Sequence, residues 1–260
     1  AITRRLLGLD DQIGLSVVEP VRIDDGWEFS EQHPDPLGDA RYLREVYRRA
    51  DPSYTGRVTV PVLWDTAEET IVNNESREIM RMLSDAYDAP TGVDLAPPAM
   101  RPEIDAAIDD IYEPINNGVY RAGFAETQEA YTSAIDELFT ALDTYDRLLG
   151  EQRFVVGDRL TEADIALFVT LVRFDDVYHT HFKCNRRAIT AYPNLWGHTR
   201  EIYQLPGVAE TVNRDHIRRH YYASHTDINP KQIVAVGPEL SFTDPHDRDR
   251  LGGQLPAALS

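Results

Sequence analysis

Cysteine is nearly absent from this sequence, since Cys184 is the only one among 260 residues. A single cysteine cannot close a disulfide within the chain. Long apolar runs are also absent, and no stretch approaches the roughly 18 residues that a membrane-spanning helix needs. The opening residues Ala1–Arg5 lead into only a short apolar run, unlike a signal peptide. We therefore expect a cytoplasmic protein that does not enter a membrane.

Basic residues are scarce. The 26 lysines and arginines face 44 aspartates and glutamates, which gives a formal net charge of -18. Nucleic-acid binding needs a positive surface, so this balance argues against it. It also argues against binding to anionic membranes. The acidity favours solubility and suits either a high-salt cytoplasm or an ordinary acidic enzyme.

The pattern changes near residue 90. Residues 1–90 mix helices with short strand-like runs, and residues 91–260 are mostly helical, with a tail from Thr226 that we expect to wrap the surface. Between two of the predicted strands lies a long excursion, residues 22–57. The order of elements in the first region is that of an α/β domain whose first strand is missing. The predicted helices there are residues 1–9, Leu37–Arg49 and Asn73–Tyr87, and the predicted strands are Ile13–Val18, Thr59–Trp64 and Thr70–Val72.

The second region follows a linker of residues 88–102, which is rich in proline. Its apolar periodicity predicts an all-helical domain. The expected helices are Pro102–Gly118, Thr127–Gly150, Thr161–Tyr178, Tyr192–Gln204 and Val208–Ala223.

Two segments of the first region are candidates for binding a thiol peptide. Pro61 lies within a strand-like run; this is typical of an edge strand, but also of the cis proline beside the thiol site of thioredoxin-like folds. Glu75 and Ser76 open a helix, where a hydroxyl and free backbone N–H groups suit a carboxylate and a glutamate suits an ammonium. An ordinary helix cap is the alternative for the second segment. The two segments together favour thiol-peptide binding.

One helix start in the second region has a structural signature. Thr161 and Asp164 form a capping box ahead of an apolar helix, which is a folding signal rather than a catalytic one.

Three tyrosines in the same region lie beside polar, non-periodic segments: Tyr120, Tyr178 and one of the pair Tyr221 and Tyr222. A phenol can donate to an oxygen, and its ring can stack on a flat substrate.

The histidines and the cysteine are weaker candidates. His216 and His220 are one helical turn apart, but no cysteine or glutamate stands at a convincing spacing for a metal. We therefore expect no metal. Cys184 follows Lys183, which could lower its pKa. A buried, unreactive thiol is the alternative that we favour.

These segments, in this order, resemble the glutathionyl-hydroquinone reductases, which are the Xi-class glutathione transferases. The resemblance runs from residue 4 to residue 230 and is most specific in residues 116–124, 173–185 and 204–226. It implies a thioredoxin-like domain over residues 1–90, incomplete at its start, and an all-helical glutathione-transferase domain over residues 91–260. Family members commonly form homodimers through the helical domain.

The resemblance also implies a reaction and its site. The co-substrate would be glutathione or another γ-glutamyl thiol, and the substrate a glutathionyl-hydroquinone from which the thiol is removed. Trp27 would line the glutathione site. Val60, with Pro61, would pair with the cysteinyl group of the thiol. Glu75 and Ser76 would hold its γ-glutamyl end. Residues for the hydroquinone would be Tyr120, Tyr178 and Tyr221, with Tyr222 as the alternative to Tyr221.

The family's nucleophile is the cysteine of a Cys-Pro-Trp motif, and this sequence does not contain that motif. We expect the cysteine upstream of Ala1, since Cys184 belongs to a different segment of the family pattern. Two other functions stay open at this point. One is a non-catalytic binding or assembly module, and the other is a conventional conjugating glutathione transferase.

Overall fold

The computed structural model describes residues 1–22 and 26–259, so part of the predicted excursion over residues 22–57 lies outside the described residues. Its first part combines three helices with one small sheet. The strands pair antiparallel, with Trp64 opposite Ile71 and Asp65 opposite Thr70. These elements are α1 (Ile2–Leu6), α2 (Leu43–Ala50), β1 (Leu63–Asp65), β2 (Thr70–Asn73) and α3 (Ser76–Ala86).

The predicted strand Ile13–Val18 is wrong. A strand needs a neighbour with which to exchange backbone hydrogen bonds. Among the residues from 1 to 22 and from 26 to 259, this segment pairs with none. Leu15 and Val17, whose apolar side chains suggested the strand, are 56% and 47% exposed.

Two other elements start later than predicted. The strand expected from Thr59 begins only at Leu63, because Pro61 has no N–H for a ladder. The helix expected from Leu37 begins at Leu43. The residues before it form turns instead, since the Asp35 carboxylate accepts the N–H groups of Leu37 and Ala40, at 3.0 and 3.2 Å.

The second part of the described chain is all-helical, as predicted. Two of its helices pass into single π-helical turns, at Tyr112–Asn116 and Phe174–Tyr178. The helix expected over Val208–Ala223 is interrupted, because Asn213 caps a new helix by accepting the N–H of His216. The helices are α4 (Arg101–Ile111), α5 (Gly118–Gly123), α6 (Gln128–Glu151), α7 (Glu162–Arg173), α8 (His179–His181), α9 (Pro193–Gln204) and α10 (Arg214–Ser224).

The tail crosses this helical part and inserts a charged side chain into it. Arg248 is fully buried and donates to the backbone carbonyls of Gln152 and Arg153, at 2.9 and 2.7 Å, and to that of Leu149. These carbonyls lie at the C-terminal end of α6, where a helix leaves acceptors unsatisfied. The arginine therefore serves as a cap from a distant part of the chain, and the expected surface-wrapping tail is partly buried. Within the described residues, no helix is long and apolar enough to cross a membrane.

The predicted capping box at the start of α7 is confirmed, and it is the centre of a larger network. The Asp164 carboxylate accepts the N–H of Thr161 at 2.9 Å and the N–H of Val155 at 2.8 Å. His198, on α9, lies 3.0 Å from the same carboxylate. Asp164, Thr161 and His198 are all fully buried. One side chain thus joins a loop and two helices in the core.

We predict that Asp164→Ala lowers the free energy of unfolding by about 3 kcal/mol, since it removes a cap and leaves buried donors unpaired. Urea denaturation followed by circular dichroism would measure this. Asp136→Asn is the matched control, because the Asp136–Arg186 pair is on the surface and such pairs contribute about 1 kcal/mol or less. Equal losses in the two variants would contradict the prediction.

Candidate functional site

Three tyrosine hydroxyls meet in a line within the helical part. The Tyr221 oxygen lies 2.5 Å from that of Tyr120 and 2.7 Å from that of Tyr178. Tyr178 and Tyr221 are 3% and 5% exposed, whereas Tyr120 is 36% exposed. Burial raises the pKa of Tyr178 and of Tyr221 well above the usual range, so both are neutral phenols. The chain of hydroxyls therefore runs from the core to the surface.

The choice between Tyr221 and Tyr222, which the sequence leaves open, follows from this geometry. The Tyr221 ring lies edge-on to Tyr178, with centroids 5.2 Å apart. Tyr222 turns the other way, and its hydroxyl donates to the backbone carbonyl of Asp176 at 3.4 Å. Tyr221 is thus the member of the pair that joins the other two tyrosines.

An ion pair holds the elements that carry two of these tyrosines. Tyr178 ends a π-helical turn and Tyr221 lies on α10. Asp176, in the same turn and fully buried, accepts two hydrogen bonds from the Arg214 guanidinium on α10, at 2.7 and 2.8 Å. Such a bidentate pair fixes orientation as well as distance. Sequence reasoning missed both residues; the pair of aspartates Asp175 and Asp176 at the end of an apolar helix was the available signal.

An aromatic surface surrounds the exposed end of the tyrosine line. Phe124, one turn after Tyr120, is 49% exposed, and the two rings are nearly parallel with centroids 6.4 Å apart. Phe182 is buried behind Tyr120, with centroids 5.4 Å apart. Flat apolar faces beside a hydroxyl suit an aromatic ligand that carries oxygen. Phe124 was not among the predicted site residues.

Two histidines, His181 and His225, lie next to this surface. They are joined by a hydrogen bond of 3.1 Å between ring nitrogens. Burial lowers the pKa of each to about 4, and neighbouring positive groups add to the shift. Both rings are therefore neutral at pH 7. This agrees with the hydrogen bond between them, in which one ring nitrogen donates and the other accepts. Among the residues described, no group of three or more histidine, cysteine, aspartate or glutamate side chains is arranged to hold a metal.

Trp27 connects the first part of the chain to the tyrosine line. Its ring stacks on that of His220, with centroids 5.0 Å apart, and His220 immediately precedes Tyr221 on α10. The same tryptophan packs against a small core cluster that includes Tyr47. Trp27 thus lies between helix α10 and the small core cluster of the first part of the chain.

The residues predicted to bind the thiol are held together at one end of the small sheet. The Val60–Pro61 peptide bond is cis, as the sequence suggested. Val60 is 45% exposed, and its backbone makes none of the hydrogen bonds found among the described residues. Glu75 and Ser76 are exposed at the start of α3, where Glu75 occupies the cap position without a side-chain capping bond. The helix begins at Ser76 rather than at Asn73.

A polar network that sequence reasoning missed ties these two segments together. The Asn74 amide donates to the Tyr47 hydroxyl and to the Thr59 hydroxyl, both at 3.2 Å. The Tyr47 hydroxyl in turn donates to the Thr59 carbonyl at 2.8 Å. Thr59 precedes Val60 and Asn74 precedes Glu75, so the network sets the separation of the two segments.

Cys184 is fully buried, with its sulfur 4.0 Å from the Val119 carbonyl oxygen and 3.8 Å from that of Phe182. Burial raises the pKa of this thiol to about 12. Since the thiolate is the reactive form, Cys184 is not a nucleophile at neutral pH. The interpretation as a buried thiol is confirmed.

Family models match both parts of the chain. Residues 1–86 match the glutathione S-transferase N-terminal domain, and residues 128–201 match the C-terminal domain. The fold is therefore a thioredoxin-like domain, here with a small sheet, followed by an all-helical glutathione-transferase domain.

Individual proteins agree with the family models. The glutathionyl-hydroquinone reductase YqjG of Escherichia coli is 50% identical over 254 residues, which cover 95% of this chain and 77% of that protein. A solved Xi-class transferase from Natrialba magadii is 57% identical, with a TM-score of 0.94 over 96% of this chain and 78% of its own. The glutathione-bound structure of YqjG superposes with a TM-score of 0.93 over 95% of this chain and 83% of its own, at 50% identity.

A 50% identity that extends over three quarters of a curated reductase goes well beyond a shared fold, and with the matching Xi-class structures it places the chain in the glutathionyl-hydroquinone reductase family of glutathione transferases.

Proposed function

We propose that this protein uses glutathione, or another γ-glutamyl thiol, to release free hydroquinones from glutathionyl-hydroquinones. The observation that carries the proposal is the line of tyrosine hydroxyls ending beside an exposed aromatic surface. The relatives named above, together with the thiol segments at the small sheet, indicate which ligands meet there.

The reaction has two steps, a thiolate attack on the thioether sulfur of the conjugate and a thiol–disulfide exchange. In the first, a hydroxyl proton of the conjugate moves to the sulfur-bearing ring carbon, which gives a keto tautomer. A cysteine thiolate then attacks the sulfur, and the electron pair of the carbon–sulfur bond re-forms the aromatic ring as a phenolate, which takes up one proton. The products are the hydroquinone and a mixed disulfide between protein and glutathione. In the second, the thiolate of another glutathione attacks the mixed disulfide, which restores the cysteine and yields glutathione disulfide. Overall, the ring carbon is reduced, and the thioether sulfur of the conjugate and one glutathione thiol are oxidised to glutathione disulfide.

The tyrosines act on the departing ring. As the carbon–sulfur bond breaks, negative charge develops on the oxygens of the hydroquinone. A neutral phenol donates a hydrogen bond that strengthens as that charge grows, which is the differential stabilisation that accelerates a reaction. Tyr120, the exposed member of the line, and Phe124 provide the surface for the ring.

The thiol is held at the other half of the site. The free backbone groups of Val60 pair with the cysteinyl residue of glutathione in the manner of a short antiparallel strand. At the start of α3, Ser76 and the N–H groups of the first turn bind the α-carboxylate, since the positive end of the helix dipole favours an anion. The Glu75 carboxylate binds the α-ammonium. Trp27 lies between this half and α10.

We place the nucleophile in a Cys-Pro-Trp motif upstream of Ala1. Support comes from the family resemblance and from Cys184, whose burial and raised pKa disqualify the one cysteine within these residues. A binding module or a conjugating transferase would need no such cysteine. Turnover of a glutathionyl-hydroquinone that persists when the upstream cysteine is replaced by serine would reject that cysteine as the nucleophile.

We also propose that the protein is a cytoplasmic homodimer that pairs through the helical domain. A thiol-dependent reductase requires a compartment in which glutathione is kept reduced. Light scattering coupled to gel filtration tests the oligomeric state, and a monomer at micromolar concentration would reject the dimer.

We predict that Glu75→Gln raises KM for glutathione by about tenfold with kcat little changed, because loss of one charged hydrogen bond to the thiol costs about 1.5 kcal/mol or more. Steady-state kinetics at varied glutathione would measure this. Glu68→Gln, an exposed glutamate in the β1–β2 turn, is the matched control and should leave KM unchanged. A normal KM in the Glu75 variant would remove that residue from the site.

We predict that Cys184→Ala leaves kcat/KM for glutathionyl-hydroquinones within about twofold, since a buried thiol with a raised pKa takes no part in exchange. Iodoacetamide should modify the native protein at the upstream cysteine and spare Cys184, as measured by peptide mass spectrometry. Loss of activity in a folded Cys184 variant would contradict this assignment.

A further inference from the structure

The line of three phenols contains two hydrogen bonds but three hydroxyl hydrogens. Tyr221 is the central member, bonded to Tyr120 on one side and to Tyr178 on the other. One hydrogen must therefore be left over, and its position depends on the direction in which each bond is donated.

The buried end of the line fixes the first direction. The buried Tyr178 ring packs against the rings of Phe174 and Phe182. Within the described chain, the only hydrogen-bond partner of its hydroxyl is Tyr221. If Tyr221 donated to Tyr178, the hydrogen of Tyr178 would be buried without an acceptor, which is unfavourable. Tyr178 therefore donates to Tyr221.

The central member fixes the second direction. Tyr221 is 5% exposed, and its hydroxyl contacts no acceptor besides the other two tyrosines in the part of the chain that the structure describes. If Tyr120 donated to Tyr221, the hydrogen of Tyr221 would be the buried orphan. Tyr221 must donate to Tyr120. The hydrogen left over is then that of Tyr120, the only member with substantial exposure.

Burial is the main cause of the raised pKa of Tyr221. The positive charge of Arg173 acts to lower the pKa of both buried tyrosines. The order of donation along the line rests on burial and on the hydrogen-bond partners of the three hydroxyls.

We propose that the line is a one-way chain of donors in which Tyr120 alone gives its hydroxyl hydrogen to an oxygen of the aromatic ligand, while Tyr221 and Tyr178 are positioning residues that polarise Tyr120 from behind. The three tyrosines are consequently not equivalent parts of a pocket wall. Successive hydrogen bonds in a chain strengthen one another, so the buried phenols increase the donor strength of the exposed one. The inference rests on the proposed function for the class of ligand, an aromatic ring that carries a phenolate-like oxygen.

The test uses 4-nitrophenolate, which needs neither thiol nor cysteine, at a pH where it is ionised and the tyrosines are not. We expect Tyr120→Phe to weaken its binding about tenfold to a hundredfold, the value of a hydrogen bond to a charged acceptor. Tyr178→Phe should weaken this binding only about twofold to fivefold, since it removes only the strengthening that Tyr178 gives to the hydrogen bond donated by Tyr120. Titration calorimetry measures both.

A spectroscopic readout separates polarisation from a merely structural effect. A hydrogen bond to the oxygen of 4-nitrophenolate moves its visible absorption band to shorter wavelength. The absorption band of the bound ligand should lie at the longest wavelength in Tyr120→Phe and at an intermediate wavelength in Tyr178→Phe. The double variant Tyr120→Phe/Tyr178→Phe should bind 4-nitrophenolate no more weakly than Tyr120→Phe alone, because Tyr178 acts only through Tyr120. A double-mutant cycle measures this. Tyr222→Phe, whose hydroxyl faces Asp176, is the matched control and should match the unaltered protein.

If Tyr178→Phe fails to fold, as judged by circular dichroism, Tyr221→Phe takes its place and should also fall between Tyr120→Phe and the unaltered protein. Equal effects of the buried and exposed substitutions, additive effects in the double variant, or no binding of 4-nitrophenolate to the unaltered protein would overturn the proposal. Turnover assays are read separately. If the protein lacks reductase activity but shows this order of effects, the proposed function is rejected and the donor chain is kept. If the protein is an active reductase but does not show this order, the donor chain is rejected and the proposed function is kept.

Discussion

The arrangement of the candidate site depends on the ion pair between Asp176 and Arg214. Asp176 has no exposed surface, so its charge is stable only with the two short hydrogen bonds that the guanidinium donates. The pair joins a π-helical turn to helix α10, and each of these elements carries one tyrosine of the line. A hydroxyl-to-hydroxyl distance of 2.7 Å between Tyr178 and Tyr221 requires that the two backbones keep a fixed separation.

The thiol half of the site depends on a different kind of contact. Asn74 and Tyr47 connect the loop before Val60 to the start of α3 through neutral hydrogen bonds. Trp27 then joins this half to α10 by stacking on His220. A buried ion pair thus orients the aromatic half and a network of uncharged groups orients the thiol half, with one tryptophan between them. The exposed groups that we propose to bind ligands, such as Tyr120 and Glu75, lie next to residues that are themselves partly or fully buried.

Much of the fold was predictable because the sequence signals for a helix lie within the helix itself. The capping box at Thr161 and Asp164 and the apolar period of α6 and α9 are contained within single segments, and the structure agrees with each to within about two residues. The strand expected over Ile13–Val18 failed because a strand exists only with a partner, and an apolar run carries no information about its partner. The long helix expected over Val208–Ala223 failed because the Asn213 cap was weaker as a pattern than the periodicity around it.

By itself, the sequence determined the class of the protein: its family, its two-part organisation, its acidity and the residue types of its site, since these depend on composition and on segments long enough to match a family pattern. Tertiary structure alone decided that Tyr221 rather than Tyr222 meets the other tyrosines, that Asp176 and Arg214 hold them, and that Cys184 is unreactive. The proposed order of donation along the line likewise depends on which hydroxyls are buried. These properties depend on burial and on contacts between residues that are 38 to 101 positions apart. Such distances exist only once the helices have packed.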